Sequence, residues 1–92
     1  MLDVTFRKRA KEDLLAIQAW FEQVAPASVE RILADIYRSI DLVREHPERA
    51  QLVHRRNYRR IVTRKYSFKV AYMVKPDRID VLGIYRYQNR ER

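Results

Sequence analysis

The residues best equipped for chemistry are cations set among rings. Arg55, Arg56, Arg59, Arg60, Arg64, Lys65, Lys69, Arg86 and Arg90 interleave with Tyr58, Tyr66, Phe68, Tyr72, Tyr85 and Tyr87. Such a surface suits a polyanion or an acidic protein partner, since Lys and Arg attract at long range and rings add contact area at low entropic cost. The charge of the chain is split accordingly. Residues 1–50 carry 8 Lys+Arg against 9 Asp+Glu, and residues 51–92 carry 12 against 3. The basic half is where a partner should bind.

Other chemistries are poorly served. There are no cysteines, which excludes disulfides, thiol nucleophiles and Cys-based zinc sites and agrees with a cytoplasmic home. His46 and His54 stand eight apart across a proline loop, away from the spacing that places two ligands on one helix face. Gly83 is the one glycine, so no Gly-rich phosphate loop can be written around it. Glu12 and Asp13 read as first-turn carboxylates favoured by a helix dipole. No run of about 18 apolar residues or uninterrupted signal-peptide core occurs, so a soluble protein is expected.

The elements that must position these residues follow from periodicity. Leu2, Val4 and Phe6 alternate with Asp3 and Thr5, as in a strand with one face inward. Ala10, Leu14, Ile17, Phe21 and Val24 then recur at helical spacing from about Arg9 to Val24, with Trp20 off that stripe. Pro26 interrupts, and a second helix restarts near Ser28, a natural N-cap. Its stripe is Val29, Ile32, Leu33, Ile36, Tyr37, Ile40 and Val43, and Pro47 sets the latest end.

Residues 47–57 show no period and read as loop. Three strand-like runs follow over 58–63, 66–74 and 79–86, the last two joined by a turn at Lys75-Pro76-Asp77-Arg78. The middle run places Phe68, Val70, Tyr72 and Val74 on one face. Tyr72 and Tyr85 read as sheet-packing rings with wet hydroxyls. Ninety-two residues make one domain, 1–92. The predicted class is α+β, a helical hairpin packed on a small, mainly antiparallel sheet in the order β-α-α-β-β-β.

This order, with particular residues, resembles the RelE/ParE superfamily of toxins from type II toxin-antitoxin systems. The residues that carry it are Val4-x-Phe6, Ala10-x-x-Asp13-Leu14-x-x-Ile17, the long second helix ending at His46-Pro47, Arg60, Tyr66-x-x-x-Val70-x-Tyr72-x-Val74, and Ile79-x-Val81-Leu82-x-Ile84-Tyr85-Arg86. One departure is Arg7, where the family often has a Ser or Thr helix cap. The resemblance implies a cognate acidic antitoxin, ParD-like or related, in a toxin-antitoxin hetero-oligomer, with no cofactor or metal. It also implies growth inhibition and plasmid stabilisation.

The superfamily holds two activities. RelE-like members cut messenger RNA in the ribosomal A site, and ParE-like members poison DNA gyrase. Cleavage through a 2′-hydroxyl needs a base, a cation at the phosphate and an acid for the leaving oxygen. Carried over by position, the family's basic strand residue falls on Arg60 and its phosphate-binding arginine on Lys69, which lacks the bidentate fork of Arg. A second basic position falls on Val62, and Gln88-Asn89 stand where some nucleases end in an acid/base pair.

The long helical hairpin looks more like ParE. The leading expectation is therefore a gyrase-binding, non-enzymatic toxin whose target- or partner-binding residues are Arg59, Arg60, Lys69, Arg86, Tyr87 and Arg90. The alternatives are a ribosome-dependent endoribonuclease using Arg60, Lys69, Arg86 and Tyr87, with ribosome and mRNA as partners, or a basic binding module of another kind.

Overall fold

A computed structural model describes residues 2–53 and 56–86. Strand β1 (Asp3–Phe6) leads into helix α1 (Lys8–Val24), a 3-10 turn (Pro26–Ser28) and helix α2 (Val29–Glu45). Strands β2 (Gln51–Leu52), β3 (Arg59–Val62), β4 (Lys69–Val74) and β5 (Arg78–Tyr85) follow. The sheet order is β1-β5-β4-β3-β2, antiparallel throughout except for the parallel β1–β5 pair. The α+β class and element order are those expected. The 47–57 stretch differs from expectation in holding β2, whose two residues are too few to show a period. No described helix is long and apolar enough to cross a membrane.

The helices obey their sequence signals in part. α1 stops where Pro26 forbids a further helical residue before it, and α2 stops at His46, which leaves the helical region ahead of Pro47. Ser28 stands at the N-cap as expected, but its hydroxyl caps nothing; Glu30 in the first turn and Arg44 in the last complement the α2 dipole instead. Arg7, at the N-cap of α1, likewise makes no side-chain cap. Its guanidinium reaches Asp80 on β5 at 3.0 Å, and its backbone N–H donates to the Val81 carbonyl, extending the parallel ladder.

One face of the sheet takes both helices. Ala10 and Ile17 of α1 and Ile32, Ile36 and Ile40 of α2 bury against Phe68, Val70, Val81 and Ile84. Val43, Tyr72 and Ile79 form a second cluster towards the Leu2 end. Val24 and Tyr37, both assigned to buried stripes, are 54% and 45% exposed. Val24 lies in the last turn of α1, and Tyr37 sits edge-on to Phe6 at the margin of the hairpin. Tyr72 is buried in full rather than wet at its tip, and its hydroxyl donates to the Pro47 carbonyl at 3.0 Å. That burial pushes its phenol up from the usual tyrosine range, against a weaker opposing pull from Arg59.

Candidate target-binding face

Two rungs of the sheet face turned away from the helices carry its basic residues. Arg60 pairs with Ala71, which pairs with Gly83, and Val62 pairs with Lys69, which pairs with Tyr85. Strand pleating puts these side chains opposite Ile61, Val70 and Ile84, which enter the core. The small Ala71 and Gly83 leave a hollow of about 250 Å³ between Tyr58, Leu82 and Tyr85, with Arg9 and Asp13 at its rim. The structure thus brings Arg60 and Lys69 onto one face, on adjacent strands and diagonal rungs.

Arg86 does not join them. A bulge at Leu82 shifts the β4–β5 register, pairing Tyr72 with Val81 and Ala71 with Gly83. The extra residue reverses alternation, so Ile79, Val81 and Ile84 all face the core. Arg86 follows Ile84 to the helix side, where its guanidinium lies 5.5 Å from the centre of the Phe21 ring. Arg59 also faces the helix layer and donates to the Ala50 carbonyl at 2.7 Å. Tyr87 and Arg90, with Arg55, His54, Gln88 and Asn89, lie outside the described residues. Arg56, Arg64 and Lys65 are exposed, and Trp20 is half exposed.

Asp13 is not a first-turn carboxylate, because α1 begins five residues earlier. Its Oδ2 accepts the backbone N–H of Ile84 at 2.9 Å and its Oδ1 accepts Arg9 Nε at 3.2 Å. The β1–β5 pairing ends at Phe6 and Val81, so this carboxylate serves as hydrogen-bond partner to β5 beyond that point. Gly83 permits the approach, since a Cβ there would stand 3.2 Å from Asp13 Oδ2.

Two further acids escaped the sequence reading. Asp80 is buried and accepts Arg78 Nε at 2.8 Å and Arg7 at 3.0 Å. Those hydrogen bonds, Arg78 first and Arg7 second, hold its carboxyl below the usual range. Asp35, buried on α2, accepts the backbone N–H groups of Lys65 and Tyr66 at 3.1 and 2.8 Å. Its position beside Ile36 on an otherwise apolar helix face was the available signal.

Chemically, the two rungs offer the cations Arg60 and Lys69 and the phenol of Tyr85. No imidazole stands in them, and both oxygens of the nearby Asp13 already accept hydrogen bonds. The face can attract and seat an anionic surface.

Comparison with known proteins agrees with this architecture. A chain of the chromosomal ParDE toxin-antitoxin system of P. aeruginosa superposes with a TM-score of 0.79 at 19% identity, covering 94% of this chain and 96% of that one. The intact E. coli RelBE toxin-antitoxin complex contributes a chain with TM-score 0.64, 14% identity and coverages of 97% and 100%. The conserved hypothetical protein HP0894 from Helicobacter pylori gives 0.63, 15%, and coverages of 97% and 98%. No curated protein matches the sequence significantly. The family model for the ParE toxin of the type II toxin-antitoxin system parDE matches residues 4–90, nearly the whole chain. The chain belongs to the ParE toxin family of type II toxin-antitoxin systems.

Proposed function

We propose that this toxin acts by binding DNA gyrase, without chemistry of its own, and that a cognate acidic antitoxin neutralises it within a hetero-oligomer. The supporting observation is the division of the basic residues. Arg60 and Lys69 share the outer sheet face with Val62 and Tyr85, and Arg86 is turned to Phe21 on the helix side. A ribonuclease would need a cation, a base and an acid converging on one phosphate. A binding surface needs only favourable potential and contact area, which a chain of formal charge +8 supplies towards an acidic partner.

The test is a supercoiling assay with purified toxin and gyrase. Inhibition or accumulation of cleaved DNA is expected, with messages left intact in induced cells. Ribosome-dependent message cleavage within minutes, abolished by one substitution at Lys69, would replace this reading with the endoribonuclease. An acidic antitoxin binding only the folded toxin should raise its melting temperature with concentration.

A further inference from the structure

The β3–β4 turn is held more firmly than an exposed loop requires. Thr63 N–H donates to the Phe68 carbonyl at 2.7 Å, and Phe68 N–H donates to Thr63 Oγ1 at 2.9 Å. Ser67 donates to the Thr63 carbonyl at 3.1 Å from a backbone with φ of 60°, a region costly for a residue with a side chain. Asp35, 1% exposed, anchors the tip by taking the N–H groups of both Lys65 and Tyr66. A buried carboxylate and a strained residue together fix four residues, of which Arg64, Lys65 and Tyr66 present exposed side chains.

We propose that this turn is a preorganised contact for the phosphodiester backbone of duplex DNA. Its three exposed side chains all donate hydrogen bonds, and two are basic residues adjacent in the chain. Arg, Lys and Tyr are the side chains that commonly contact phosphate oxygens. Phosphate contact needs charge and donors rather than a pocket, whereas an acidic protein segment gains most from a buried anchor. The hollow at Tyr58 and Tyr85, and the apolar groove of about 400 Å³ between Phe6, Leu14, Leu15 and Tyr37, are lined by other residues. Fixing the tip in advance lowers the ordering cost of the contact. Asp35 is then a positioning residue, acting through the backbone that it holds.

Fluorescence anisotropy of a labelled short duplex, without gyrase, tests the proposal between about 50 and 200 mM salt. The double substitution Arg64→Ala/Lys65→Ala should weaken binding and reduce the slope of log K against log salt by about 2. Lys8→Ala/Lys11→Ala, removing equal charge from the exposed first turn of α1, should leave that slope nearly unchanged. Asp35→Asn separates position from charge. It makes the chain more positive yet loses an acceptor, so weaker binding is expected, where attraction by net charge alone requires stronger binding.

Equal losses from both double substitutions, or tighter binding by folded Asp35→Asn, would overturn the proposal. So would polyglutamate binding that depends on Arg64 and Lys65 in a protein that ignores duplex DNA. Should Asp35→Asn fail to fold, the two surface pairs still decide. DNA binding through the turn with no effect on supercoiling would refute the gyrase reading and leave this one standing.

Discussion

Asp13 on α1 accepts the backbone N–H of Ile84 at 2.9 Å across 71 positions of sequence. The bond clasps the first helix to β5 just past the point where β1 ceases to pair. Asp13→Ala would strand a partly buried N–H, so a loss of about 1–3 kcal/mol is expected in urea denaturation, with faster hydrogen exchange at Ile84. Gly83→Ala should produce the same signature more weakly, because its Cβ forces the carboxylate aside by a few tenths of an ångström.

Acid should loosen the opposite end of β5. Arg78 and Arg7 lower the Asp80 pKa below its ordinary 3.8, so the unfolded chain binds this proton more readily than the native one. The stabilisation is therefore complete above about pH 4 and disappears as pH falls through the lowered native value. Melting curves between neutral and strongly acid pH should show a shallower acid decline for Asp80→Asn than for the parent chain.

Core truncation should cost the fold and not only the activity. Ile36 is 0% exposed at the centre of α2, and Ile17 is 7% exposed on α1. Ile36→Ala and Ile17→Ala should each lose about 2–5 kcal/mol, with Ile36 the larger because its cavity is fully enclosed. Denaturant midpoints measure both.

Ser67→Gly should stabilise the domain by about 0.5–1 kcal/mol, since glycine occupies positive φ without steric cost although it adds unfolded-state entropy. Thermal melts of this variant beside Ser67→Ala, which gains no such relief, provide the comparison.

Target binding and stability should part company at Arg86. Arg86→Ala removes the contact with the Phe21 ring, worth about 0.5–1 kcal/mol, and should lower Tm by a few degrees. Arg60→Ala and Lys69→Ala should reduce gyrase inhibition in graded steps, as losses of separate contacts do, rather than abolish it singly. Paired melts and supercoiling assays read the two effects independently.

The layers were legible because burial imposes its period on the sequence. The spacing of Ala10, Leu14, Ile17 and Phe21 predicts α1 to within a residue at its start, and Pro26 and Pro47 mark both helix ends. The Lys75–Arg78 turn closes the expected hairpin, with Lys75 N–H donating to the Arg78 carbonyl at 2.8 Å. What escaped is what carries no period. Asp13 and Asp80 look in sequence like solvated acids, and Asp35 is marked only by its apolar neighbours, yet each receives hydrogen bonds from residues distant in the chain. Arg86 fell on the helix side because one bulged residue inverts the alternation that a strict count from Ile79 assumes.

The parallel pairing of β1 with β5 sets an order on synthesis. Among the described strands β1 is made first, and β5, its neighbour in the sheet, is made last. During translation, Val4 and Phe6 must wait for Ile79 and Val81 to emerge, a non-local closure of the kind that slows folding. Until then the helical hairpin has only the β2–β4 part of its sheet beneath it and leaves apolar surface bare, a state open to aggregation or to capture by a chaperone. A chain arrested before Val81 would have made both helices and four strands and still have no place to lay its first one.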